Sequence, residues 1–245
     1  MMLGFITGSG FYTLPGLEDA EERRVVTRFG EATVTVGSMR GRPVAFLPRH
    51  GADHSVAPHR IGFRANLAAL DQLGVRAIVA TAVSGSLHPE FGPGSLRLLD
   101  QFIDLTWGRE HTFFDDEVRH VDMSEPYDPA LRAALSAAAR REGIPLVDGA
   151  TYVCFNGPRF ETPAEIEMAR RMGGDLVGMT GCPEVVLARE LGIRYASIGV
   201  VSNLAAGMEE TPLTVEEIME VLAATAETVH RLIGAALDDL LELAS

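Results

Sequence analysis

Residues 61–83 read IGFRANLAALDQLGVRAIVATAV, and the order of their apolar side chains predicts a helix followed by a strand. Helical spacing relates the apolar residues of the first half, namely Ile61, Ala65, Leu67, Ala68 and Leu70. We expect this helix to end at Gly74. Residues 75–83 then form a nearly continuous apolar run, which is typical of a strand buried on both faces of a parallel sheet. Residues 3–7 form an earlier short strand, so the alternation of strand, helix and strand predicts an α/β fold.

The rest of the chain continues this alternation. Residues 25–36 and 43–47 are predicted to form a β-meander, and a later strand is predicted at residues 194–201. Further helices are predicted over residues 131–141, 164–172, 184–191 and 215–243. The apolar stripe of the last helix, which includes Ile218, predicts a face that docks on the core. Residues 105–128 break the pattern, because they are aromatic and rich in His and Asp, as active-site or subunit-contact loops often are.

Length and composition indicate an ordered globular protein. The 245 residues are 47% hydrophobic and 22% charged, which argues against disorder and predicts one domain over residues 1–245. Two cysteines, Cys154 and Cys182, are too few for a disulfide framework and favour a reducing compartment, so we expect the cytoplasm. The N-terminal residues lack the pattern of a signal peptide, and no apolar run reaches the ~20 residues of a membrane span. A net charge of −13 without a basic stripe argues against nucleic-acid binding.

Three predicted strands end in groups that suit a bound anion. The first ends at Gly8-Ser9-Gly10, the second at Arg49-His50, and the third in the small residues 82–86, whose backbone N–H groups can complete an anion nest. Backbone N–H groups in glycine turns, a hydroxyl, and a planar guanidinium all bind oxyanions. Each feature alone also fits a plain turn or surface loop. Together they predict an anion site, since open α/β sheets bind ligands at the carboxyl ends of their strands.

Several common sites are not supported by the sequence. The glycine motif is neither a GxxxxGK[ST] phosphate loop nor a GxSxG elbow. His50 and His54 have the spacing of a metal pair, but Gly51 lies between them and no Glu is nearby, so no metal site is predicted.

A second group of residues suits a flat, hydrogen-bonding ring. Phe160 follows the segment Asn156-Gly157-Pro158-Arg159, and its ring can stack on a planar ligand. Glu161 and Asn203 can hydrogen-bond the edge of such a ligand. Each of these residues alone fits a helix cap or a core contact equally well.

In their order and spacing these segments resemble the trimeric purine nucleoside phosphorylase and methylthioadenosine phosphorylase family. The similarity extends over nearly the whole chain, and it is carried by Thr7–Gly10, Arg49–Gly51, Gly157–Thr162, Gly178–Thr180 and Pro183–Ala188. The resemblance implies a single domain with a mixed central β-sheet flanked by helices, assembled into a homotrimer. It implies phosphorolysis of a purine nucleoside in purine salvage, giving free base and ribose 1-phosphate or its 5-methylthio analogue. Phosphate is then a co-substrate, and no metal or organic cofactor is expected.

The resemblance also implies roles for individual residues. Asn203, Glu161 and His50 are the expected catalytic residues, with Met179 against the ribose and Phe160 against the purine. The family's threonine at Ala82 is missing, which removes one side-chain donor to phosphate. The implied phosphate pocket consists of Ser9, Arg49, His50, the backbone of Ala82 and Val83, and Thr180.

The residues expected at the purine favour a 6-oxopurine. Members that select 6-aminopurines carry two aspartates where this chain has Asn203 and Ala205. The amide of Asn203 can donate to O6 or N7, and Glu161 can accept from N1–H and from a 2-amino group. Adenine would place its N1 acceptor against the Glu161 acceptor, which costs about 1–3 kcal/mol.

The 5′ end of the ribose is expected to meet an apolar wall. Val215, with Leu213 nearby, stands where nucleoside-type members have a histidine, which favours a methylthio group. His54, and His120 from a neighbouring subunit, match positions that line this end in methylthio-type members. We therefore expect 5′-methylthioinosine as substrate, followed by inosine and guanosine.

Three alternatives remain open at this point. A 5′-methylthioadenosine phosphorylase is opposed by Asn203 and Ala205. A nucleoside-binding protein without catalysis would not need the complete phosphate pocket that the sequence predicts. A structural α/β subunit would bind no purine nucleoside at all.

Overall fold

A mixed β-sheet forms the centre of the molecule. In the residues that this computed structural model describes, 1–209 and 214–245, eleven strands join in one sheet and five α-helices pack on it. The strands are β1 (Met2–Thr7), β2 (Glu18–Thr27), β3 (Gly30–Met39), β4 (Arg42–Pro48), β5 (Val75–Ser86), β6 (Leu96–Leu98), β7 (Gln101–Asp104), β8 (Leu146–Asp148), β9 (Thr151–Cys154), β10 (Leu176–Gly178) and β11 (Arg194–Leu204). The helices are α1 (Phe63–Gln72), α2 (Pro129–Glu142), α3 (Pro163–Arg171), α4 (Glu184–Glu190) and α5 (Val215–Leu243).

Strand β5 is the centre of the sheet. It runs parallel to β1 on one side and to β11 on the other, and its last two residues, Gly85 and Ser86, pair with antiparallel β10. Its side chains alternate between two separate cores. Ile78 and Ala80 pack into the core that includes α1 and α4, whereas Ala77 and Val79 pack into the core that includes α2 and α5. The predicted strand buried on both faces is therefore confirmed.

The helices form one layer on each face of the sheet. Helix α1 buries Phe63, Leu67 and Leu70 against the sheet and α4. On the other face α5, 29 residues long, packs along α2. A capping box of Thr214 and Glu217 fixes the N-terminus of α5.

The five helices and strands β1, β4, β5 and β11 agree with the sequence, whereas β2 begins at Glu18, seven residues before the predicted meander. The helix and strand within residues 61–83 are confirmed, α5 has the predicted bounds, and residues 105–128 contain neither helix nor strand. The strands β6 to β10 were not predicted, because segments of three or four residues show too little alternation. Strand β5 does not end at Val83 as predicted, since residues 84–86 continue it and pair with β10 and β11.

The pairing of β5 leaves a notch in the sheet. Strand β1 accompanies β5 only as far as Ala80, and β10 joins the same edge at Gly85. Between these positions β5 has no strand beside it on that edge, and the carboxyl ends of β1 and β4 open toward the gap. No helix in the described ranges is long and apolar enough to cross a membrane.

The core contribution of α1 can be tested with Leu67→Ala. Leu67 is fully buried, so the cavity left by the substitution is expected to lower the free energy of unfolding by about 2–5 kcal/mol. Urea unfolding followed by circular dichroism measures the change. Gln72→Ala, at an exposed position of the same helix, is the control and should change stability by less than about 0.5 kcal/mol. Equal stability of the two variants would contradict the assigned packing.

Candidate active site

A cavity of about 440 Å³ lies at the notch beside β5. Its wall is built from the loop after β1, the segment after β4, the ends of β5, β10 and β11, the segment before α3, and the first turn of α5. Twelve of the fourteen residues predicted for the site line it, namely Ser9, Arg49, His50, His54, Val83, Phe160, Glu161, Met179, Thr180, Asn203, Ala205 and Val215.

Two predicted residues lie outside the cavity wall. Ala82 is buried in the core on the α1 side, because successive side chains of β5 point to opposite faces, and the wall begins at Val83. His120 is exposed in the irregular segment of the same chain, away from the cavity, and its role in a neighbouring subunit stays a prediction. Leu213, expected near the 5′ end, lies outside the described residues.

A buried ion pair holds Arg49 in place. Its Nε and Nη2 donate to the two carboxylate oxygens of Glu184, each at 2.7 Å, and Nη1 donates to the carbonyl of Thr81 at 3.1 Å. The hydroxyl of Tyr195 donates to the same carboxylate at 2.6 Å. The two charged side chains are 1% and 0% exposed. Burial alone would lower the pKa of Arg49, but the ion pair with Glu184 outweighs it and raises that pKa, so the guanidinium stays charged.

This arrangement leaves part of the guanidinium available to an anion. A guanidinium has five N–H donors, and protein groups in the described structure occupy three of them. One donor on Nη1 and one on Nη2 remain for a ligand oxygen. A Cβ at Gly8 would lie 3.2 Å from Nη1, so a glycine at this position allows the guanidinium to approach the backbone. The N–H of Gly8 donates to Thr81 Oγ1. Ser9, which the sequence predicted in the phosphate pocket, lines the cavity.

His50 offers an acceptor to the cavity rather than a donor. Its Nδ1 lies 2.8 Å from the carbonyl oxygen of Val56, and since a carbonyl can only accept, Nδ1 carries the hydrogen. Burial, aided by the charge of Arg49, lowers the pKa of His50 to about 4. At neutral pH the free Nε2 therefore has a lone pair and carries no N–H donor. Such a lone pair suits the P–OH group of monohydrogen phosphate.

A buried tyrosine supports the loop that presents Thr180. Tyr152 of β9 accepts a hydrogen bond from the backbone N–H of Thr180 at 3.3 Å. Cβ atoms at Gly178 and Gly181 would lie 2.3 and 2.8 Å from the Tyr152 side chain, so only glycines let the loop fold over this ring. The sequence revealed Thr180 but not Tyr152, since nothing local connects the two residues.

The amide of Asn203 is oriented by its neighbours. Ser202 Oγ donates to Asn203 Oδ1 at 2.6 Å, and Asn203 Nδ2 donates to the carbonyl of Leu204 at 2.7 Å. The second N–H of Nδ2 remains for a ligand. Asn203 therefore presents a donor to the cavity, as the sequence predicted, but the residue that fixes this direction, Ser202, was missed.

Glu161 presents an acceptor without a protein partner. The residue is 8% exposed, and its Oε1 is buried and makes no hydrogen bond within the described residues. Burial raises the pKa of this carboxyl. A ligand N–H group placed against Oε1 would satisfy it and stabilise the ionised form.

The remaining end of the cavity is largely apolar. Val215, Ile218 and Met219 of α5 line it together with His54. Ile218 was missed because the α5 stripe was assigned to the core alone, and Met219 was not part of that stripe. His54 has a positive φ of 58° and its Nδ1 lies 2.8 Å from the hydroxyl of Tyr12, which holds the ring at the cavity. In the described ranges no group of three or more His, Cys, Asp or Glu side chains is arranged to hold a metal.

Comparison with known proteins decides the family. The profile of the phosphorylase superfamily matches residues 3–238. The chain belongs to the phosphorylase superfamily. Among its relatives is the 6-oxopurine nucleoside phosphorylase of Pyrococcus furiosus, 48% identical over 243 residues that cover 96% of this chain and 91% of the relative. Another relative is a probable S-methyl-5′-thioinosine phosphorylase of Methanothermobacter thermautotrophicus, 45% identical over 98% of this chain and 84% of the relative.

Solved structures of the superfamily share the fold. The methylthioadenosine phosphorylase of Schistosoma mansoni, solved in complex with adenine, superposes with a TM-score of 0.91 at 34% identity. The match covers 99% of this chain and 91% of the other. The mixed α/β architecture predicted from the sequence is confirmed.

The dependence of the phosphate end on Glu184 can be tested with Glu184→Gln. Removing one charge leaves the buried Arg49 without its counter-ion, and breaking such pairs costs about 3–5 kcal/mol of stability. We expect thermal unfolding at lower temperature and a higher KM for phosphate. Tyr195→Phe is the control, because it removes one hydrogen bond and keeps the ion pair, so phosphate KM should change little. An unchanged phosphate KM in Glu184→Gln would contradict the role given to the pair.

Proposed function

We propose that this chain catalyses the phosphate-dependent cleavage of a 6-oxopurine nucleoside to the free base and a ribose 1-phosphate. The observation that carries the proposal is the pairing of a free donor on Asn203 with a free acceptor on Glu161 in the same cavity as the Arg49 guanidinium. The donor fits O6 or N7 of the base, and the acceptor fits N1–H. Relatives named 6-oxopurine nucleoside phosphorylase and S-methyl-5′-thioinosine phosphorylase support this assignment.

The reaction transfers the ribosyl group from nitrogen to oxygen. The C1′–N9 bond breaks and its electron pair moves into the purine, while a phosphate oxygen forms the new bond to C1′. Asn203 stabilises the negative charge that develops on the base as the bond breaks. The departing base takes up a proton at N7 from solvent, and the phosphate releases its P–OH proton to solvent once the new bond to C1′ has formed, so protons and charge balance. The phosphate, held by Ser9, Arg49 and Thr180, stabilises the cationic sugar and then captures it. His50 accepts the P–OH hydrogen bond, which orients the remaining phosphate oxygens.

At the 5′ end we propose a methylthio group. The wall of Val215, Ile218 and Met219 suits an apolar substituent better than a hydroxyl, so 5′-methylthioinosine is the favoured substrate and inosine and guanosine follow. A 6-aminopurine substrate is the second candidate, favoured by the fold shared with the adenine complex of the Schistosoma mansoni enzyme. It is opposed by the Asn203 donor and by alanine at position 205.

The biological setting follows from the same proposal. We propose a homotrimer of single-domain subunits, residues 1–245, in which the irregular segment 105–128, with His120, reaches a neighbouring site. We place the enzyme in purine salvage in the cytoplasm, where the free thiols of Cys154 and Cys182 stay reduced. Inorganic phosphate is the co-substrate, and neither a metal nor an organic cofactor takes part.

The experiment that tests the function measures base release from four nucleosides, each with and without phosphate. The nucleosides are 5′-methylthioinosine, inosine, guanosine and 5′-methylthioadenosine. We expect release only with phosphate, and a kcat/KM for 6-oxopurines at least about tenfold above that for the 6-aminopurine, since a mispaired buried acceptor costs about 1–3 kcal/mol. Binding without phosphate-dependent release would instead indicate a nucleoside-binding protein, and a preference for 5′-methylthioadenosine would overturn the base assignment.

Asn203→Ala separates the purine end from the phosphate end. Loss of the donor that stabilises the leaving base should lower kcat by about 10²–10³-fold, as removal of an oxyanion donor does in other enzymes. The KM for phosphate should stay within about twofold of wild type, because Asn203 does not touch the proposed phosphate pocket. Steady-state kinetics with inosine and varied phosphate measure both quantities. An equal loss in both, or no loss, would contradict the role of Asn203.

The pH dependence of the reaction should report on Glu161. Only the ionised carboxylate accepts from N1–H, and burial raises its pKa, so kcat/KM for inosine should fall as the pH decreases through that raised pKa. Glu161→Gln does not titrate and should lack this acidic limb, at a lower plateau. Rates between about pH 5 and pH 8 measure the profile. If kcat/KM of Glu161→Gln falls at low pH in the same way as that of the wild type, the titrating group is not Glu161.

A further inference from the structure

One arginine of the irregular segment contacts the backbone of three site-forming loop positions. The guanidinium of Arg109 donates from Nη2 to the carbonyl oxygens of Asn156, at 3.0 Å, and of Met179, at 2.8 Å. From Nη1 it donates to the carbonyl oxygen of Cys182. Its Cζ atom lies 5.2 Å from the centre of the Phe63 ring, which covers one face of the guanidinium.

The three carbonyls belong to the loops that present the two halves of the candidate site. Asn156 begins the segment that carries Phe160 and Glu161 to the purine end. Met179 itself lines the cavity, next to Thr180 of the proposed phosphate pocket. Cys182 lies two residues before Glu184, the counter-ion of Arg49. Arg109 therefore contacts the backbone of the loops that carry the proposed base-binding residues and of those that carry the proposed phosphate-binding residues.

Loop carbonyls at such positions need donors from outside their own loops. None of the three residues belongs to a helix or strand, so no regular ladder serves their carbonyls. A planar guanidinium can serve three carbonyls in one plane, whereas a lysine ammonium is a point charge with three rotating donors. Arg109 makes these three contacts from two different nitrogens, Nη1 and Nη2, which the single nitrogen of a lysine cannot reproduce.

We propose that Arg109 is a positioning residue that fixes the purine-binding loop relative to the phosphate-binding loop. It acts through backbone carbonyls and does not itself line the cavity. The spacing of Glu161 from Arg49 and Thr180 sets how the base and the phosphate meet across C1′, so an error in this spacing affects the binding of both. The inference rests on the proposed function, since it assigns the same cavity to both ligands.

Arg64 provides a matched control. It belongs to α1, its side chain is 11% exposed, and it holds the same irregular segment through ion pairs with Glu110 and Asp115. Within the described part of the chain it neither lines the cavity nor hydrogen-bonds the loops that Arg109 contacts. A variant at Arg64 therefore loosens the segment without removing the guanidinium between the loops.

The test compares Arg109→Ala, Arg109→Lys and Arg64→Ala with the wild type in phosphorolysis of inosine. A misplacement of about 1 Å costs about 10²-fold in rate, so we expect kcat/KM to fall by about that factor in both Arg109 variants, with higher KM for nucleoside and for phosphate. Arg64→Ala should stay within about threefold. Millimolar guanidinium chloride should restore activity to Arg109→Ala in a saturable manner and should not affect Arg109→Lys or Arg64→Ala. Circular dichroism and thermal unfolding check that each variant is folded.

Calorimetric titration makes the inference independent of turnover. Inosine without phosphate, and phosphate without nucleoside, should each bind Arg109→Ala at least about tenfold more weakly than wild type or Arg64→Ala, if both loops are displaced. If the wild type shows no phosphorolysis, the proposed function is refuted. The binding data then still decide the role of Arg109. Equal activity and equal affinity in Arg109→Ala and Arg64→Ala, or an absence of guanidinium rescue, would overturn the inference.

Discussion

The buried ion pair of Arg49 and Glu184 is the interaction on which the rest of the site depends. It joins the segment after β4 to the start of α4, and the hydroxyl of Tyr195 ties the same carboxylate to β11. A charge buried without a partner is strongly unfavourable, so the pair constrains all three elements. Its geometry also leaves an opening for an anion, because among the described residues the bidentate contact and the Thr81 carbonyl use only three of the five guanidinium donors. The pair therefore both holds the loops and defines where an anion can bind.

The purine end is governed by the direction of hydrogen bonds rather than by charge. Ser202 engages the oxygen of Asn203, which leaves its amide as a donor, and Glu161 keeps a buried acceptor that has no partner among the described residues. A ligand that places an acceptor against Asn203 and an N–H group against Glu161 satisfies both side chains. Discrimination by such pairing is stronger than discrimination by shape, because a wrong ligand leaves buried polar groups unpaired. This gives the two ends of the cavity different physical requirements, which matches a reaction with two different substrates.

The sequence predicted the long helices, the central strand and most residues of the candidate site. The elements and residues that it did not predict were missed for physical reasons. The helix and strand of residues 61–83 carry long periodic patterns and were predicted, whereas strands as short as β10 carry almost none. Arg49, Glu161 and Asn203 have side chains that suit the ligand directly. Glu184, Tyr152, Ser202 and Arg109 act through other residues, and Glu184 lies 135 residues from its partner Arg49, so no local signal connects them. The direction of the His50 hydrogen bond depends on the fold of residues 50–56, which no spacing rule supplies.

In the proposed function one cavity holds phosphate at Arg49 and a 6-oxopurine at Asn203 and Glu161. A crystal structure with phosphate and a slowly cleaved 6-oxopurine nucleoside tests it most directly. We predict a phosphate oxygen within about 3 Å of both Nη1 and Nη2 of Arg49, N1 within about 3 Å of Glu161 Oε1, and O6 or N7 within the same distance of Asn203 Nδ2. A phosphate bound away from Arg49, or a purine whose N1 faces away from Glu161, would contradict the account.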